Sequence, residues 1–70
     1  MIEVFHTNVE KEFQARIIVA FLLQQFPGSR INFDLDDCDR ILRIENSTLN
    51  PEKLKQHLQQ AGFWCEELED

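Results

Sequence analysis

The chain has 70 residues, which is enough for one small domain and leaves no length for a second. Its formal net charge is −6, so its electrostatic field repels phosphate backbones and anionic membrane surfaces. With 43% hydrophobic residues it is too apolar for a disordered chain, and its longest apolar run, residues 17–23, is far shorter than a membrane span. We therefore expect one soluble, cytoplasmic domain over residues 1–70 without nucleic-acid or membrane partners.

The first predicted element is a strand over residues 2–6. Successive side chains of a strand point to opposite faces of the sheet, and this alternation predicts that Ile2 and Val4 face the core. Phe5 has the opposite parity. It is therefore predicted to lie on the outer face of a sheet.

A helix is predicted to follow. Thr7 and Glu10 have the spacing of a capping box, which indicates that the helix begins there. It ends at residues 26–28, Phe-Pro-Gly, because the residue before a proline is disfavoured in the helical conformation. One face carries the predicted core residues, which are Phe13, Ile17, Ala20, Phe21 and Gln24. Ile18 and Leu22 then point away from the core and are predicted to form an exposed apolar stripe.

The middle of the chain predicts a β-hairpin. Apolar and polar residues alternate over residues 31–35, and a second strand runs over residues 40–45 after a four-residue turn. This turn length sets the register of the two strands. It pairs Phe33 with Leu42 and Ile31 with Ile44 on the core face. Ile41 falls on the outer face of the sheet.

The last predicted elements are a helix and a short strand. Asn50 is the predicted N-cap, Pro51 stands at the first helical position, and Gly62 ends the helix. Residues 63–67 form the last strand, with Trp64 on the outer face. The order strand, helix, strand, strand, helix, strand predicts an α+β fold of the ferredoxin-like type, with a four-stranded antiparallel sheet in the order 4-1-3-2 and both helices on one face.

Three short segments carry a family resemblance. They read Ile17-x-x-Ala20-Phe21, Ile31-x-Phe33-Asp34-Leu35 and Ala61-Gly62-Phe63. Their order and spacing resemble the aliphatic-x-x-Ala-Leu, Val-x-Val-Asp-Leu and Ala-Gly-Tyr motifs of the heavy-metal-associated (HMA) domains of copper chaperones and metal-transporting ATPases. The resemblance covers nearly the whole chain and implies the same ferredoxin-like fold.

The metal-binding loop of that family is not matched. HMA domains hold a soft cation such as Cu(I) with a Met-x-Cys-x-x-Cys loop between the first strand and the first helix. Here the loop spans residues 6–13, and the two cysteine positions fall on Val9 and Glu12 or on Glu10 and Phe13. Neither alignment supplies a sulfur ligand. We therefore expect an HMA-like domain that binds no metal and no other cofactor.

A different metal site is an alternative. The predicted fold brings His6, Cys38 and Cys65 to the same end of the domain, where they could hold a borderline cation such as zinc in a metal-handling or metal-sensing protein. The spacing of the two cysteines favours free thiols instead. Catalysis is not expected, because the chain has only two histidines, no tyrosine and no glycine-rich phosphate loop.

Surplus apolar side chains are the strongest signal outside the predicted core. They favour a module that binds a protein partner or associates with itself. The predicted partner-binding residues are Phe5, Ile41 and Trp64 on the sheet and Ile18 and Leu22 on the first helix.

Overall fold

The strands and helices form in the predicted order. A computed structural model describes residues 2–36, 38–46 and 49–68, and within these ranges it contains four strands and two helices. The strands are β1 (Ile2–Thr7), β2 (Arg30–Asp34), β3 (Ile41–Glu45) and β4 (Cys65–Glu67), and the helices are α1 (Glu12–Gln25) and α2 (Pro51–Gln60).

The four strands form one antiparallel sheet. Their order is β2-β3-β1-β4, which is the predicted 4-1-3-2 order read from the opposite edge. Both helices pack on one face and enclose the core. The predicted α+β, ferredoxin-like fold is confirmed. No helix of the described residues is both long and apolar enough to cross a membrane.

The register of the hairpin is also confirmed. In the β2–β3 ladder Ile31 is the partner of Ile44, and Phe33 is the partner of Leu42. The guanidinium Nη1 of Arg40 donates a hydrogen bond of 2.9 Å to the carbonyl oxygen of Leu35 and so ties the two ends of the turn together. Of the predicted turn, residues 36–39, Asp37 lies outside the described residues.

The ends of α2 follow the predicted signals. The Asn50 side chain accepts a hydrogen bond of 3.0 Å from the Glu52 amide, and Pro51 is the first helical residue. At the other end Gly62 adopts a left-handed φ of 87°, which closes a Schellman motif. Its two hydrogen bonds run from the Phe63 amide to the Leu58 carbonyl (2.9 Å) and from the Gly62 amide to the Gln59 carbonyl (3.0 Å).

The predicted parity of β1 is wrong. Phe5 is fully buried opposite Leu42 of β3, whereas Ile2 is 62% exposed. Phe5 is the largest apolar side chain of the strand, so facing the helices removes more apolar area from water than burying Ile2 or Val4 would. Phe5 is therefore a core residue and does not lie on the outer face of the sheet.

Thr7 is a strand residue and does not cap α1. Its hydroxyl donates a hydrogen bond of 2.7 Å to the Arg40 carbonyl and accepts one of 3.2 Å from the Val9 amide. These contacts fasten the β1–α1 loop to the hairpin, and the loop then places the fully buried Val9 in the core. The helix begins only at Glu12, after the N-cap residue Lys11.

The predicted orientation of α1 is reversed. Ile18 and Leu22 are 2% and 0% exposed and belong to the same core cluster as the two buried leucines of α2. Phe13 and Ile17, which were predicted to face the core, are 57% and 64% exposed. Both faces of the helix are apolar, so either could pack against the sheet, and the face with Ile18 and Leu22 does so.

Candidate functional site

The outer face of α1 exposes a row of apolar side chains. Phe13, Ile17 and Ala20 follow one another at steps of four and three residues and therefore lie on one side of the helix. All three are exposed, and we refer to them as the α1 ridge. Leu23, one turn further on, is 40% exposed. No charged residue occurs in the helix from Ile17 to its end, and the exposed polar residue in line with the ridge is the uncharged Gln24.

A groove runs along each side of the ridge. The first lies between α1 and the end of α2, has a volume of about 410 Å³, and is lined by Ile17, Phe21, Ala61 and Phe63 among others. The second, also of about 410 Å³, lies between α1 and the edge strand β2. The Ala20 and Leu23 side chains line this second groove. The face therefore combines a projecting ridge with two depressions, which is a shape that an apolar partner can fill.

The open face of the sheet does not carry the predicted aromatic patch. Phe5 lies on the opposite face, in the core. Ile41 has the predicted outward parity, yet its place on a central strand, between Asp34 and His6, leaves it only 4% exposed. Trp64 is 43% exposed and packs edge-to-face against the His6 ring at 4.8 Å between centroids. Of the three predicted sheet residues, only Trp64 presents a substantial surface to a partner.

The three candidate metal ligands do not come together. Cys65 is buried and pairs with Thr7 on the core side of the sheet, whereas His6, one residue earlier in β1, has the opposite parity. Cys38 is exposed in the hairpin turn. The residues that the structure describes contain no group of three or more His, Cys, Asp or Glu side chains placed to hold a metal ion.

The Cys65 thiol is also poorly suited to act as a ligand. Desolvation by burial raises its pKa from 9.0 to about 11, although the nearby Lys55 ammonium acts in the opposite direction. A thiol must lose its proton to bind a metal well, so this environment disfavours the ligating form at neutral pH. Val9, which one alignment places at a cysteine position of the HMA loop, is fully buried in the core.

The sequence did not predict the α1 ridge, because the periodicity was interpreted with the wrong face of the helix in the core. The predicted core face ended on Gln24, a polar residue that the structure leaves exposed. The face that is buried has an apolar residue at each position of the i, i+3, i+4, i+7 pattern, and these residues are Ala15, Ile18, Val19 and Leu22. The single polar residue on the competing face was the available signal.

Comparisons with known proteins add no assignment to this surface. No family model, no curated protein sequence and no solved structure matches the chain. The candidate site is therefore defined by the exposure, charge and shape of the α1 face.

Proposed function

We propose that this chain is an interaction module that binds protein through the α1 ridge and carries out no chemistry of its own. The observation that carries this proposal is the exposure of Phe13 and Ile17 on a helix whose other face already fills the core. Removing apolar surface from water contributes about 25 cal/mol for each Å² buried. A partner that covered both side chains would therefore gain binding free energy from groups that lie outside the core of this domain.

A relationship to HMA domains is part of the proposal. The strand order and the order and spacing of the three matched segments support it. The first segment matches in sequence only, because its Ile17 and Ala20 are exposed and lie outside the core. The buried Val9 and the separated cysteines support a form of that scaffold that works without metal. In this proposal the domain has the shape of a metallochaperone and binds by apolar contact.

The proposal is tested by removing the ridge while leaving the core intact. The double variant Phe13→Ser with Ile17→Ser replaces two exposed side chains, and the matched control, Gln56→Ser with Gln59→Ser, makes two changes on the exposed face of α2. Sedimentation velocity and affinity capture on the immobilised chain measure association, and circular dichroism checks the fold. We expect association in the wild type and the control, and its loss in the ridge variant.

Two outcomes would contradict the proposal. The first is equal association by the ridge variant and the control, since the exposed α1 side chains would then be irrelevant. The second is a wild-type chain that neither associates with itself nor retains any protein.

A further inference from the structure

We propose that the occupant of the α1 ridge is a second copy of this chain, with the two α1 helices packed antiparallel about a two-fold axis. This inference rests on the proposed function and specifies its partner. A two-fold interface uses the same patch on both chains, so the patch must be complementary to itself. The α1 face has that property, as its shape and its charge distribution show.

The shape of the ridge supplies both a projection and a recess. Ile17 is 64% exposed and projects from the helix, whereas Ala20, three residues later on the same side, is exposed but small. When the axis passes between these two positions, each Ile17 side chain lies over the Ala20 of the other copy. A small residue at that point lets two helices approach closely, and the flanking grooves receive the neighbouring side chains.

The charge distribution favours the antiparallel arrangement. Two chains of net charge −6 repel each other, so association requires a surface with few charges. The only charged residues of α1 are Glu12 and Arg16, and both lie in its N-terminal half. An antiparallel pairing sets this half against the uncharged C-terminal half, and the helix dipoles then oppose each other favourably. A parallel pairing would place Glu12 next to the Glu12 of the other copy.

The open face of the sheet is less suited to pairing with a second copy. Its exposed positions include Arg43, Glu45 and Glu66, which would have to be desolvated on association. On the α1 face no charged side chain has to be desolvated over residues 17–25, because this part of the helix has none.

The available area indicates a modest affinity. A standard interface buries about 800 Å² on each partner, which is about a sixth of the 4794 Å² surface of this chain. A helix of 14 residues is about 21 Å long, and we expect the interface along its ridge and grooves to be smaller than this standard. We therefore expect a dimer that dissociates at micromolar concentrations.

Sedimentation equilibrium of the full chain, from about 5 to about 500 µM, tests the inference by mass action. The average mass is expected to rise from that of one 8.3 kDa chain towards twice that value. Ile17→Glu and Ala20→Lys, each alone, are expected to weaken the dimer at least about tenfold, since each places like charges across the axis. Gln56→Glu on α2 is the matched control and is expected to have no effect.

Mixing the two variants tests the register. The antiparallel arrangement sets position 17 of one copy against position 20 of the other, so an equimolar mixture of Ile17→Glu and Ala20→Lys is expected to restore a heterodimer. A parallel pairing would instead set position 17 against position 17. If Ile17→Glu formed a heterodimer with Ile17→Lys but not with Ala20→Lys, the pairing would be parallel and the inference would be overturned. A dimer unaffected by either single variant would lie elsewhere, for example along the edge of β2, and would overturn it too.

The failure of this inference can be told apart from the failure of the proposed function. A wild-type chain that stays monomeric at every concentration overturns the dimer. If that monomer still retains another protein, and loses it in the Phe13→Ser, Ile17→Ser variant, the proposed function stands with a different partner. Circular dichroism of each variant separates a lost interface from a lost fold.

Discussion

The two helices lie on the same face of the sheet, yet they differ on the side that faces water. Each buries one apolar stripe, which in α2 consists of Leu54 and Leu58. The outer side of α2 is polar throughout and carries Glu52, Lys53, Gln56, Gln59 and Gln60. The outer side of α1 instead exposes Phe13 and Ile17.

This difference shows which part of α1 the fold requires. A helix that packs on a sheet needs one apolar stripe, and α2 meets that requirement with no apolar residue to spare. The second stripe of α1 adds nothing to the core, because the packed side already includes Ala15, Ile18 and Leu22. In the proposed function, this extra stripe is the surface that binds a partner.

The largest expected effect is on stability, and it distinguishes the buried side of α1 from the exposed side. Leu22→Ala removes a fully buried side chain and is expected to lower the free energy of unfolding by about 2 to 5 kcal/mol. Ile17→Ala removes an exposed one and is expected to change it by less than about 0.5 kcal/mol. Urea denaturation at low chain concentration, where the monomer predominates, measures both. Similar losses in the two variants would contradict the assignment of the inner and outer sides.

How much could be predicted from sequence depended on how many apolar faces an element has. The β2–β3 register was predictable because Ile31 and Phe33 alternate with polar residues, and a slip of one position would expose them. The orientation of α1 was harder to predict, because two of its faces are largely apolar and one polar residue, Gln24, distinguishes them. In β1, Ile2 and Val4 compete with Phe5 for the core, and only the packing of the helices decides between them.

That ambiguity also affected the candidate site. The presence of an apolar stripe beyond the needs of the core was predicted, because no single partner helix could cover both faces of α1. The residues assigned to it, Ile18 and Leu22, were on the wrong side. Whether Trp64 binds a partner stays a prediction.

A second prediction concerns the contact between the helices. His57 of α2 packs edge-to-face against Phe21 and Phe26, with ring centroids 5.6 and 5.5 Å away. Among the described residues its Nδ1 atom is buried without a hydrogen-bond partner, which is a destabilising arrangement. His57→Phe keeps the aromatic contacts, removes the unpaired nitrogen, and is expected to raise the free energy of unfolding by about 1 kcal/mol.

His57→Leu is the companion variant, because it removes the nitrogen and the ring contacts together. The two effects oppose each other, so its stability in urea is expected to stay close to that of the wild type. If the His57→Phe chain were less stable than the wild type, the unpaired nitrogen would not be destabilising in this packing.

The smallest expected effect comes from the helix starts, where the two helices also differ. The Asn50 side chain caps α2, whereas α1 begins after Lys11, whose ammonium cannot accept a hydrogen bond from the first turn. At that start the Gln14 side chain accepts a bond of 3.3 Å from the Lys11 amide. Lys11 already has the extended backbone of an N-cap, with φ −117° and ψ 142°. Lys11→Asn is therefore expected to stabilise the chain by about 0.5 to 1 kcal/mol in urea denaturation.

The reciprocal change at α2 completes the test of the caps. Asn50→Ala removes the acceptor for the Glu52 amide and is expected to cost about 1 kcal/mol. If both caps obey the same rule, Lys11→Asn and Asn50→Ala together should leave the free energy of unfolding near its wild-type value, because the two sites are at different helices and their effects should add. A lower free energy of unfolding in Lys11→Asn would mean that the lysine makes a favourable contact at the start of α1. The N-terminal end of the ridge would then be stabilised by something other than a helix cap.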